Sequence, residues 1–125
     1  PSSISQAAAV EALNGNQGFI QKRSKAFKER RDFVVKSLNN IEGINCLTPN
    51  GAFYVFPSCK GLLNKKTKLN TDTDFVQKLL EKSNVAVVQG SAFGLDGYFR
   101  ISYATSMQNL KKAMERIKTF CESLS

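Results

Sequence analysis

The feature that most limits what this chain can become is a change of hydrophobic period at Glu42-Gly43. Before it, apolar residues recur at helical spacing. After it, Ile44-Asn45-Cys46-Leu47 and Ala52-Phe53-Tyr54-Val55-Phe56 read with a period of two and are rich in aromatic and β-branched residues. A helical stretch resumes at Thr71-Asp72-Thr73-Asp74 and gives way to two more strands, Val85-Ala86-Val87-Val88 and Gly97-Tyr98-Phe99-Arg100-Ile101-Ser102-Tyr103. Helical spacing closes the chain after Thr105. The order helix, long helix, strand, strand, helix, strand, strand, helix predicts an α+β domain, with helices packed on one side of a small, mostly antiparallel sheet. A chain of 125 residues is one domain by length and buries roughly two thirds of its unfolded surface.

Local signals set the expected boundaries. Ser3-Ile4-Ser5-Gln6 has the S-x-x-Q form of a capping box, and Asn14-Gly15-Asn16 ends the short helix that follows. From Gln17 to Asn40, Ile20, Phe27, Val34, Leu38 and Ile41 mark a stripe expected to be buried along about 35 Å of helix. That is longer than the domain needs for itself, so the helix is expected to bridge two bodies. Thr48-Pro49-Asn50-Gly51 joins the first two strands as a hairpin or its near relative; Gly51 supplies a positive φ or a close backbone approach, unless it is a plain turn glycine. Ser58 to Asn70 reads as a surface connector whose Lys60, Lys65, Lys66 and Lys68 need no function. Phe75, Val76, Leu79 and Leu80 give the third helix its buried side. Thr105-Ser106-Met107-Gln108 forms a second box, ahead of the stripe Leu110, Met114, Ile117, Cys121 and Leu124.

Composition excludes several functions. With no histidine, no Ser-His or Cys-His nucleophile system can be built within this chain, and no catalytic residue is assigned to it. Cys46, Cys59 and Cys121 match no metal-binding spacing and read as the reduced thiols of a cytoplasmic protein. No apolar run approaches the ~20 residues of a membrane span. Pro1-Ser2-Ser3-Ile4 has neither the basic start nor the apolar core of a signal peptide. A chain opening at proline is expected to be a piece of something longer. The net charge of +8 admits a small basic nucleic-acid-binding module as an alternative. Yet the densest run, Lys22 to Asp32, is interrupted by acids and spread around several helix faces, so no nucleic-acid partner is expected.

One residue stands out. Arg100 lies mid-strand, with Tyr98 and Ser102 on its face and Phe99, Ile101 and Tyr103 on the other, whereas Arg23, Arg30, Arg31 and Arg116 fall in charged helical runs. A guanidinium held on a rigid strand suits a carboxylate or phosphate; a solvated edge-strand head or a structural ion pair is the other reading. The adjoining loop, Gln89 to Gly97, has three glycines and no dinucleotide spacing; it forms an anion-binding nest or a plain turn.

Taken together, Pro49-Asn50-Gly51-Ala52-Phe53-Tyr54-Val55-Phe56-Pro57, Val85-Ala86-Val87-Val88-Gln89-Gly90-Ser91-Ala92-Phe93-Gly94 and Tyr98-Phe99-Arg100-Ile101-Ser102-Tyr103-Ala104 resemble the C-terminal part of class I pyridoxal-phosphate aminotransferases, bacterial aspartate aminotransferases above all. The resemblance implies that residues 1–15 end a large-domain segment, 16–41 form the interdomain helix and 42–125 the small domain. It implies that Arg100 grips the substrate α-carboxylate, that Phe53 lines the substrate pocket, and that Gly51 and Phe93 approach it. The Schiff-base lysine and the other residues holding pyridoxal 5'-phosphate would lie upstream of Pro1, which makes this piece inactive alone. The full protein would be a homodimeric enzyme exchanging amino groups between aspartate and 2-oxoglutarate, with aromatic, alanine or prephenate specificity as alternatives.

Overall fold

Phe99, Ile101 and Tyr103 are buried, Arg100 between them is half-buried and Ser102 is exposed, the alternation of a strand with one wet face. This strand organises the domain. The computed structural model describes residues 1–64 and 66–124, so Lys65 of the expected connector lies outside the described residues. Two helices come first, α1 (Ser3–Asn14) and α2 (Gly18–Asn39). Strand β1 (Tyr54–Val55), helix α3 (Asp72–Ser83), strand β2 (Val88–Gln89), strand β3 (Phe99–Ser102) and helix α4 (Met107–Glu122) follow. The sheet is antiparallel in the order β1-β3-β2, with Tyr54 opposite Ser102 and Arg100 opposite Val88. The result is the expected α+β arrangement of helices and a small antiparallel sheet.

The core lies between the sheet and α2, α3 and α4. Phe75 of α3 is fully buried, its ring centroid 5.1 Å from Phe99 and 5.8 Å from Phe120. This aromatic contact ties β3 to two helices and contributes about 0.5–1.5 kcal/mol per pair beyond the area it buries. Leu110, Met114, Ile117 and Cys121 fill the α4 stripe as expected, joined by Phe120. The N-caps of α1 and α4 fall one residue away from the expected positions. Neither helix closes the reciprocal box: Ser2 alone caps α1, accepting from the Ser5 amide, and Ser106 caps α4, accepting from the Asn109 amide. Thr71 and Asp74 form a full capping box on α3.

Four expectations are corrected. The first two strand segments do not form a continuous hairpin ladder. The Asn39 side chain takes both backbone groups of Cys46, accepting from its amide at 2.8 Å and donating to its carbonyl at 2.9 Å, so Cys46 has none to offer β1. Asn45 bridges Ser58 instead, and β1 pairs with β3. Next, the stripe of α2 is buried only toward its C-terminal end, at Val34, Val35 and Leu38. Ile20 and Phe19 are exposed, as is every residue of α1 up to Asn14. The connector is not merely surface, for Cys59, Leu62 and Leu69 enter the core. Last, Leu80 is half exposed, whereas the buried side of α3 includes the carboxylate of Asp72.

Candidate functional site

The open face of the sheet carries the chemistry. Arg100 projects there from β3, and its guanidinium carbon lies 4.6 Å from the ring centroid of Phe93 and 5.6 Å from that of Tyr54. The two rings flank the cation without consuming its directional donors, each contributing about 0.5–1 kcal/mol at an exposed site. Among the described residues the ion pairs are Lys28–Asp32, Arg31–Asp32 and Lys118–Glu122, and none includes Arg100. The structural ion pair is thereby disfavoured. A planar fork, restrained in position and without an ion-pair partner among the described residues, is suited to an anion arriving from outside.

Aromatic contacts extend the face in both directions. Phe53 meets Tyr54 edge-on at 5.7 Å; Phe93 meets Phe56 edge-on at 5.8 Å, and Phe56 stacks on Tyr98. Phe53 and Phe93 remain 55% and 50% exposed, an apolar rim of the kind that surrounds a binding site and not a finished core.

The four residues singled out in the sequence fall into two groups. Arg100 and Phe93 are in contact. Gly51 and Phe53 instead line an open groove of about 660 Å³ between α2 and the Asn50–Phe53 turn, together with Phe19, Arg23 and Phe27. Phe53 joins the two regions through Tyr54. Gly51 supplies neither a positive φ nor a close approach, since a Cβ there would meet nothing within 4 Å. The strained residue is its neighbour Ala52, at φ +67°. Tyr103 holds this turn from below: its hydroxyl donates to the Ala52 carbonyl at 2.9 Å and its amide to the Phe53 carbonyl at 2.8 Å. Burial, opposed by Arg31 and assisted by Asp32, raises the Tyr103 pKa and keeps the hydroxyl a donor. Arg31 fixes the other end of the turn, donating to the Pro49 carbonyl at 2.9 Å.

The Gln89–Gly97 loop is a tight turn. Gly90 to Phe93 form a short 3₁₀ helix, and a Cβ on Gly90 would collide with the Leu95 carbonyl oxygen and sit 2.8 Å from Tyr98. Asp72, buried at the start of α3, accepts the Ser91 amide at 2.7 Å. Burial raises its pKa, but hydrogen bonds from the Ser91 amide and hydroxyl and from backbone amides, Gly97 included, outweigh that and lower it. Neither Tyr54 nor Asp72 was singled out in the sequence. The alternation along β1 placed Tyr54 on the Arg100 face once pairing was known; nothing local marked Asp72 as more than a helix-start acid.

Residues 2–117 match the sequence profile described as Aminotransferase class I and II. The chain belongs to that family. Its relatives among curated proteins include the aspartate aminotransferase of Rhizobium meliloti (strain 1021), 57% identical over 100% of this chain and 32% of the relative. The probable aspartate/prephenate aminotransferase of Rhizobium leguminosarum bv. phaseoli is 58% identical over 95% of this chain and 31% of its own length. The crystal structure of the aspartate aminotransferase from Rhizobium meliloti superposes with a TM-score of 0.95 at 56% identity, covering 100% of this chain and 32% of that one. The chain therefore spans about a third of the length of these relatives. None of its described helices is long and apolar enough to cross a membrane, and no group of three His, Cys, Asp or Glu among the described residues could hold a metal ion.

Proposed function

We propose that this chain is the substrate-clamping part of a pyridoxal-phosphate-dependent aminotransferase acting on aspartate and a 2-oxo acid. The observation that carries the proposal is the geometry of Arg100: a fork of donors restrained between Phe93 and Tyr54 on a wet sheet face, with no ion-pair partner among the described residues. Bound bidentately, the α-carboxylate common to amino acid and 2-oxo acid is fixed in position and in rotation. That orients the reacting Cα for the cofactor while the exposed rings of Phe53 and Phe93 exclude water from its surroundings.

When bound, the cofactor supplies the electron sink that amino-group exchange requires. The residues present suit the face that receives the substrate, where Arg100 offers its fork to a carboxylate. The cofactor's own ligands would come from the remaining two thirds of the protein. The exposed apolar residues of α1 and the start of α2, Ile4, Val10, Leu13, Phe19 and Ile20, would pack against that body, which makes α2 an interdomain helix. The assembled enzyme is a cytoplasmic homodimer on this reading. The relative named for both aspartate and prephenate favours prephenate as a second amino acceptor beside 2-oxoglutarate.

The test is Arg100→Lys in the full-length, cofactor-loaded protein. A lysine keeps the charge and loses the fork, so one charge-assisted hydrogen bond of about 1.5–3 kcal/mol disappears, equivalent to a rise of roughly 10- to 150-fold in KM for aspartate. Cofactor absorbance stays unchanged. Unaltered KM values would remove the clamp assignment.

A further inference from the structure

Asp72 is a charged residue only 3% exposed and has no cationic partner among the ion pairs of the described residues. A carboxylate so placed is stable only if amides or positive charge surround it. Here they do. It stands at the first position of α3, where the helix N-terminus favours a negative charge, and it accepts the Ser91 amide at 2.7 Å. The Gly90–Phe93 helix has no side-chain cap of its own, since Gln89 makes no capping hydrogen bond. Asp72 supplies that cap from a different element, nineteen residues away.

The loop so held ends at both sides in strands, β2 and β3, and carries Phe93 at its centre. Gly94 closes it in the left-handed region at φ +76°, its amide donating to the Ser91 carbonyl at 3.0 Å. Phe93 is half exposed and touches Phe56 edge-on besides the Arg100 guanidinium. The position of the ring over the cation therefore depends on the backbone of residues 90–93, and that backbone on Asp72.

We propose that Asp72 is a positioning residue for Arg100: by capping the Gly90–Phe93 turn it fixes Phe93 against the guanidinium and sets the angle at which the fork meets a substrate carboxylate. The inference rests on reading Arg100 as the carboxylate clamp. Asp72 touches no substrate, and its effect passes through Phe93.

The experiment uses the full-length, cofactor-loaded enzyme with the substitutions Asp72→Asn, Asp72→Ala and Phe93→Leu, the double variant Asp72→Asn/Phe93→Leu, and Arg100→Lys as reference. Loss of the charge in Asp72→Asn, whose amide oxygen still accepts the Ser91 N–H, raises KM for amino acid and 2-oxo acid about fivefold. Asp72→Ala raises it further, with kcat and cofactor absorbance preserved. In the Phe93→Leu background Asp72→Asn adds less than about twofold, because residues acting through one contact are not additive. Should Asp72→Ala fail to fold, Asp72→Asn and the double variant decide alone. A KM within about twofold of the parent for Asp72→Asn while Arg100→Lys raises it overturns the inference, and so does a fully additive double variant. If Arg100→Lys leaves KM unchanged, the clamp reading fails and this inference falls with it.

Discussion

Tyr103→Phe is the perturbation that isolates how the fold holds the Pro49–Phe53 turn. Tyr103 is 1% exposed, so its ring, tilted against Phe27 at 6.2 Å, keeps its packing when the hydroxyl is removed. What disappears is the donor to the Ala52 carbonyl at 2.9 Å. A neutral hydrogen bond of this kind is worth about 1 kcal/mol net, and the exposure of Ala52 lets water replace part of it, which makes that figure an upper bound. The strain it opposes is of the same size: a non-glycine residue in the left-handed region, here Ala52 at φ +67°, costs about 1–2 kcal/mol. With the bond gone, the turn relaxes toward other conformations and Phe53 leaves its place beside Tyr54. If the full-length protein acts as proposed, the expected result is a rise in KM for aspartate of up to about fivefold, the equivalent of 1 kcal/mol, with kcat and cofactor binding unchanged. Adding Ala52→Gly, which removes the steric penalty, should return KM toward the parent value. Steady-state kinetics of the single and double variants measure both. The reasoning is refuted if Tyr103→Phe lowers stability but leaves KM untouched, or if Ala52→Gly worsens the defect instead of relieving it.

Three further outcomes follow from the same geometry. The Asp72 pKa is lowered on folding, so its stabilisation is fully present above the unfolded value of about 4 and is lost as pH falls through the folded one. Asp72→Asn should flatten the acid limb of a stability profile, as followed by circular dichroism, whereas an unchanged limb would show that the carboxylate contributes nothing. Burial raises the thiol pKa of Cys46 to about 11 and, aided by the charge of Asp72, that of Cys59 to about 12; burial likewise lifts Cys121 to about 12. All three should resist alkylation at pH 8 in the native protein and react on unfolding, which peptide mass spectrometry can score residue by residue. Gly90→Ala should cost about 1–3 kcal/mol by overpacking, because its Cβ meets the backbone of Leu95 and Tyr98 and not a flexible side-chain end; a neutral urea-unfolding midpoint would contradict this.

How much of the site was legible beforehand depended on the range of the interaction involved. Arg100 could be found because a cation at one position of a period-two pattern contradicts its surroundings, and that contradiction is visible within seven residues. Phe93 and Phe53 came from the resemblance, and their separation into a guanidinium contact and a groove lining could not be read there. Ala52 took the positive φ expected at Gly51, since the conformation is imposed by Tyr103, some fifty residues on, and not by local preference.

The sequence by itself determined the helices and the buried stripe of α4, the α+β class, the family and the outstanding arginine. Periodicity, capping chemistry and motif order are local properties, carried by residues that are neighbours in the chain. Only the tertiary structure decided that Asn39 would keep Cys46 out of a hairpin, that β1 would pair with β3, and that Asp72 would leave solvent to cap a turn beneath Phe93. Each of these outcomes turns on a buried polar group seeking a partner, and which partner lies within reach is fixed by packing between distant segments.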